Sequence, residues 1–256
     1  MNNKKFLSLL ATKAYANLRT EISRYYLNYF WWVLEPILSM LTFYLVFGIF
    51  LNSGTQNYVA FLLTGLVPWQ WFANGVTQSS NSILANKGLM LQVDIAKIFF
   101  PLEVILRGTF KHLFVLALLL IFLVFYPTPI SWTWLSLPIL MVIQLLYIVS
   151  IGALCSAIVP FVPDLQFIIS TVVRLGMYAS GIFYNIDSVV LPKHQFIMYM
   201  NPIAGLIKSY RDILMYEKWP DWTYLGYLTI AGMVLLIISV TILHKLDHIY
   251  PRICQQ

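Results

Sequence analysis

The chain has 256 residues, of which 60% are hydrophobic and 10% charged, against about 25% charged in an ordinary soluble domain. That balance excludes water as the main solvent and points to one transmembrane domain over residues 1–256. The excess of 16 Lys and Arg over 10 Asp and Glu reflects membrane orientation rather than nucleic acid binding, because most basic residues flank apolar stretches.

Residues 1–28 predict a basic amphipathic helix: Phe6, Leu10, Ala14, Leu18, Ile22 and Tyr26 recur every four residues, with Lys5, Lys13, Arg19 and Arg24 mostly off that stripe. Such a helix lies on the inner membrane surface or packs on a partner. The apolar run after Lys5 is broken by Thr12 and Lys13 and carries no small-residue cleavage site, so it does not read as a signal peptide. Six stretches of about 20 mostly apolar residues, enough to cross ~30 Å of hydrocarbon, follow at 34–51, 58–77, 104–126, 134–159, 167–186 and 222–244. The expected fold is therefore all-α and integral to the membrane, with six transmembrane helices behind an amphipathic interface helix. An even number puts both termini on one side. Lys4, Lys5, Lys13, Arg19, Arg24, Lys87, Lys97, Arg107, Lys111, Lys245 and Arg252 gather there, against Lys193, Lys208, Arg211 and Lys218 opposite, so that side is read as cytoplasmic. Trp132, Trp134, Trp219 and Trp222 then fall at the outer interface, and Trp31 and Trp32 at the inner one.

Residues 187–221 are too apolar for a solvated loop and too broken to span, which predicts re-entrant external helices forming a gate, or a small external subdomain. Asn201-Pro202 supplies a helix start there, with Asn as cap and Pro at the first helical position. Chemistry is scarce. No Gly-Lys dipeptide occurs, which excludes a phosphate-cradling ATPase loop; His112, His194, His244 and His248 form no HExxH pair. Cys155, inside an apolar stretch, and Cys254, in the tail, make no case for a disulfide framework or metal cluster. No catalytic residue or metal ligand is assigned. Glu103, Arg107 and Lys111 stand at successive four-residue steps and read as a structural ion-pair row. Glu35 precedes Pro36 at a helix start, where dipole and fixed backbone angle favour both. Arg174, about two turns inside the fifth stretch, either snorkels or pairs, or faces a wet interior able to meet a phosphate.

Residues 27–36 read Leu-Asn-Tyr-Phe-Trp-Trp-Val-Leu-Glu-Pro, similar to a Leu-Gly-x-x-Trp-x-x-x-x-Pro pattern with Asn28 in place of Gly. Gly65-Leu66-Val67-Pro68-Trp69-Gln70-Trp71-Phe72 follows, then Asn86, Phe99-Phe100-Pro101, Pro163-Asp164 and the stretch from Asn201-Pro202 to Arg211-Asp212. Over nearly its whole length the chain thus resembles the permease subunits of polysaccharide-exporting ABC transporters, which move O-antigen, capsule or teichoic acid chains on the type-2 exporter fold.

The resemblance implies a homodimer in the bacterial inner membrane, joined by two copies of a separate cytoplasmic ATPase that binds ATP and Mg. This chain then binds no cofactor itself. The implied cargo is an undecaprenyl-pyrophosphate-linked polysaccharide, O-antigen before the other polymers. A coupling helix is expected within 82–94, with Asn86, Lys87, Leu89, Leu91 and Asp94 against the ATPase. Sugars offer C–H faces on which aromatic rings stack, so Tyr29, Trp32, Tyr44, Tyr178, Phe183 and Tyr184 are candidates for the substrate path, with Arg174 for the phosphate. Asn201, Pro202 and Arg211 mark the external gate. Two other classes compete: a drug or lipid exporter of the same fold, and a membrane enzyme acting on polyprenyl-linked sugars. The enzyme would need carboxylates or His gathered at one membrane face, and the sequence presents no such cluster.

Overall fold

The structure is a computed structural model that describes residues 3–24, 28–50, 57–93, 95–126 and 130–253, and every regular element among them is helical. α1 (Asn3–Arg24) is followed by α2 (Asn28–Phe43), which passes directly into a π-helical stretch, Tyr44–Phe50. Next come α3 (Tyr58–Ser80), the short α4 (Ser82–Ala85) and α5 (Lys87–Gln92), and α6 (Phe99–Phe125). A 3-10 turn, Trp132–Ser136, opens α7 (Leu137–Ile158), and α8 (Leu165–Tyr178) follows. The chain closes with α9 (Ile186–Val189), α10 (Pro192–Tyr199), α11 (Pro202–Met215), α12 (Trp222–Leu246) and α13 (Tyr250–Ile253).

Three of these helices, Phe99–Phe125, Trp132–Ile158 and Trp222–Leu246, are long and apolar enough to cross a membrane. α6 starts at Phe99, five residues before the apolar stretch read from the sequence, because Pro101 falls in its first turn, where no intrahelical N–H is required. α3 forms the centre and packs on α2, α6, α7, α8 and α11. It meets α7 closely: a Cβ at Gly75 would lie 2.5 Å from Ile148 Cγ2, and one at Gly152 would lie 2.3 Å from Ser79 Oγ. Small residues allow such approach where both helices are too apolar for water to drive them together. Gln144 Nε2 fixes the pair by donating to the Pro68 carbonyl at 2.7 Å. α12 is held on α7 by Tyr147 Oη to the Leu228 carbonyl and Ser239 Oγ to the Ser150 carbonyl, each 2.8 Å.

A second core, built on Leu10, Ile83, Met90, Phe99, Phe100, Ala157, Leu243 and Tyr250, closes the end of the bundle that carries both terminal helices. Here the stripe of α1 turns inward: Ala14 is buried, and Phe6 meets Phe99 edge-on at 5.8 Å. The first part of the stripe, at Phe6, Leu10 and Ala14, thus meets the chain's own helices, while the large apolar residues Leu7, Leu9 and Tyr15 of α1 are exposed. The fifth stretch also differs from the reading of the sequence. Its helix stops at Tyr178, and the chain turns through Gly181 at φ +66°, a backbone region open to Gly at little cost.

Candidate functional site

The predicted path residues separate. Tyr178, Phe183 and Tyr184 come together where α8 ends: Phe183 lies 4.3 Å from Phe43 and 5.6 Å from Tyr178 between ring centroids, and Tyr184 Oη donates to the Tyr178 carbonyl at 3.0 Å. Tyr178 is exposed and Tyr44 half-buried. Phe183, a candidate for the path, is buried at 5% exposure, and Tyr58 Oη donates to its carbonyl at 3.1 Å. Arg174 is exposed on α8, which has no buried residue and presents Phe167, Ile168, Val172 and Leu175 outward. The side chains of Tyr29 and Trp32, and the whole of Asp94, lie outside the described residues.

Between α1, α2 and α8 opens a cleft with α3 and α6 as its floor. It has two adjoining lobes of about 570 Å³ and about 400 Å³ that share Gln78 and Val104. The larger is lined by Asn17, Asn81, Glu103, Arg107 and Gln166, among others, the smaller by Trp31, Glu35, Gln70, Trp71, Asn74 and His112. Glu21, unmarked in the sequence reading, organises its charges. It pairs with Lys111, lies 3.5 Å from Arg107 Nη1, and so ties α1 to α6. Asn17 Nδ2 donates to the buried Glu103 at 3.0 Å, and Arg107 Nε lies 3.9 Å from the same carboxylate.

The opposite end is packed around α11. α11 starts at Pro202, with Asn201 Oδ1 accepting from the Ile203 N–H at 3.1 Å, and inserts Leu206, Ile207, Tyr210, Ile213 and Leu214 into the core. Arg211, marked for the external gate, is buried at 6% exposure. Its guanidinium donates to the carbonyls of Gly181 (2.6 Å), Ile182 (2.8 Å) and Phe61 (3.2 Å) and stacks on the Phe61 ring at 3.5 Å. Gly65 makes the room, since a Cβ there would lie 2.7 Å from Nη2. Arg211 forms no ion pair among the described residues; carbonyl dipoles and a ring face carry its charge. At the surface of this end Lys208 meets Asp187 at 2.6 Å, and Tyr199 Oη donates to the same carboxylate at 2.7 Å. Burial pushes the Asp187 carboxyl up, but the hydrogen bonds from Lys208 and Tyr199 and the charge of Lys208 outweigh it and hold it below the usual range.

The segment after α3 is two short helices hinged at Asn86, whose Nδ2 donates to the Ser82 carbonyl at 2.8 Å. Lys87 and Leu91 are exposed together with Val93, whereas Leu89 is half covered by the core of that end.

A chain whose described elements are all helical, with membrane-length helices, a polar cleft and an inserted helix α11, is matched by a family model, the ABC-2 type transporter, over residues 12–215. The chain belongs to the ABC-2 transporter family. Relatives cover nearly all of this family member. It is 28% identical to an O-antigen export system permease protein, RfbA, of Klebsiella pneumoniae, over 96% of this chain and 94% of that one. It is 25% identical to the RfbA permease of Myxococcus xanthus, over 91% and 90%. The polysialic acid transport protein KpsM of Escherichia coli is 23% identical, over 88% of each. These ABC-2 relatives are named as transport permeases, in keeping with a transporter subunit rather than an enzyme.

Proposed function

We propose that this chain is the membrane half of an ATP-driven exporter of a lipid-linked polysaccharide, working as a homodimer with two copies of a cytoplasmic ATPase. The observation that carries this reading is similarity to named polysaccharide permeases along 88–96% of the chain. Greater identity to the O-antigen permeases favours that polymer over capsule. An undecaprenyl pyrophosphate carrier suits the reading, with Arg174 as its candidate phosphate contact.

In this reading the chain crosses the bacterial inner membrane six times with both termini cytoplasmic, and the crossings are α2, α3, α6, α7, α8 and α12. α8 has 14 residues and rises about 21 Å, short of a ~30 Å core. The fifth crossing is completed by the turn at 179–185, whose irregular backbone needs partners inside protein. Arg211 supplies them at Gly181 and Ile182. The bare face of α8 suits a second copy at the dimer centre, since an exposed apolar stripe bearing Arg174 is poorly matched to lipid. Exposed Lys87, Leu91 and Val93 suit a groove on the ATPase, whose closure on ATP would push α4 and α5 and shift α2 against α8.

Deleting the gene in its host tests the reading. Surface polymer should disappear while lipid-linked polymer accumulates inside. The purified chain should bring down an ATPase whose turnover rises with lipid-linked sugar. Normal surface polymer in the deletion strain overturns it.

A further inference from the structure

The smaller lobe of the cleft contains two facing rows that neither fold nor topology requires. Gln70, Asn74 and Gln78 stand at four-residue steps on α3, with Asn74 and Gln78 exposed. Trp31, Glu35 and Ser39 stand at the same steps on α2, with Trp31 and Glu35 exposed. The rows join where Gln70 Nε2 donates to Ser39 Oγ at 3.3 Å. Bare amides and a carboxylate on two helices so rich in apolar residues would be costly against lipid, so the rows face water or a polar ligand.

A second observation points to a ligand. Trp71 Nε1 and His112 Nε2 are buried at the same wall without a hydrogen-bond partner among the described residues, their rings stacked 4.2 Å apart and 7° from parallel. Such orphaned groups are few in folded proteins, and each calls for an explanation.

Charge decides the class of ligand. The cleft holds Glu21, Glu35 and Glu103 against Arg107 and Lys111, and Glu21 already engages both cations. Glu35 has no ion pair among the described residues. An anion would meet net negative charge and occupied cations, whereas a hydroxyl-rich neutral ring or a protonated amino sugar finds amides, a carboxylate and the Trp31 face. Resting on the export reading, we propose that this lobe is a docking site for a neutral or amino sugar unit of the cargo, distinct from any site for its phosphates. Asn74, Gln78 and Glu35 hydrogen-bond its hydroxyls, and Trp31 stacks on its C–H face.

The test uses the whole transporter with its ATPase in inside-out vesicles. Cys155 and Cys254 are replaced by Ser, and Asn74→Cys or Gln78→Cys is introduced singly. A water-soluble methanethiosulfonate should label both positions. Delipidated fragments of the host's own surface polymer should slow labelling roughly fivefold, and inorganic pyrophosphate should not. No labelling, no protection by the fragments, or equal protection by pyrophosphate overturns the assignment. In cells, joint replacement of Gln70, Asn74 and Gln78 by Leu should lower surface polymer roughly tenfold at unchanged chain abundance, as the two cargo hydrogen bonds lost at Asn74 and Gln78 imply. A deletion strain that keeps its polymer sinks the export reading. A deletion strain that loses polymer and fully regains it with the triple variant sinks the sugar site alone.

Discussion

The cleft between α2 and α3 and the cap around Arg211 are both polar regions in an apolar chain, yet they treat their polar groups in opposite ways. In the cap, three carbonyls from two segments converge on one guanidinium. In the cleft, Asn74, Gln78 and Glu35 are exposed, while Trp71 Nε1 and His112 Nε2 lack hydrogen-bond partners among the described residues. A satisfied buried network makes a rigid part; an unsatisfied one beside a cavity makes a place for something else to bind.

Substitution in the cap should therefore damage folding, and substitution at cleft or surface should not. The largest effect is expected at Arg211→Gln, which leaves the Gly181, Ile182 and Phe61 carbonyls short of donors and costs roughly 3 kcal/mol or more. Lower yield and a reduced melting temperature in detergent would reveal it. Arg211→Lys should not rescue, since one ammonium cannot reproduce the planar fork. A fully stable Arg211→Gln chain would break the contrast.

Gly205→Ala comes next. The added Cβ would lie 2.0 Å from Tyr224 Oη, and forced repacking of α11 against α12 costs about 2 kcal/mol. Combining it with Tyr224→Phe should recover part of that loss in the same melting assay, less the hydrogen bond from Tyr224 Oη to the Tyr199 carbonyl. Leu91→Asp, on the exposed segment after α3, should leave melting unchanged and reduce recovery of the ATPase in pull-downs about tenfold. Equal recovery would detach that segment from coupling.

The smallest effect belongs to Asp187→Asn, which removes the surface contact to Lys208 and costs below about 1 kcal/mol. Because the folded Asp187 carboxyl is held below its ordinary range, this contact is present above that range and lost only as pH falls through the lowered value. Protease nicking between α9 and α10 should stay flat from about pH 8 to about pH 5 and rise only in stronger acid. A change near neutral pH would show that another group controls α9.

Local signals were legible where the physics is local. Asn201-Pro202 marks the start of α11 because a cap and an N-terminal proline act within three residues. Apolar length marks α6, α7 and α12, since hydrocarbon thickness sets the number of residues needed. The four-residue spacing of Gln70, Asn74 and Gln78 is also a sequence signal for a polar face, but the Trp31–Glu35–Ser39 row opposite it depends on how α2 is docked.

What the amino-acid sequence determined by itself was the membrane as solvent, the helical class and the resemblance to a transporter family, all consequences of composition and short-range pattern. The tertiary structure decided that α1 packs inward, that Glu21 joins Arg107 to Lys111, that Phe183 is buried, and that the buried Arg211 holds the Gly181 carbonyl. The reason is distance along the chain. The partners of Arg211 lie 30 and 150 residues away, and those of Glu21 about as far as Lys111, 90 residues on. No local pattern carries such pairings; only packing brings them together.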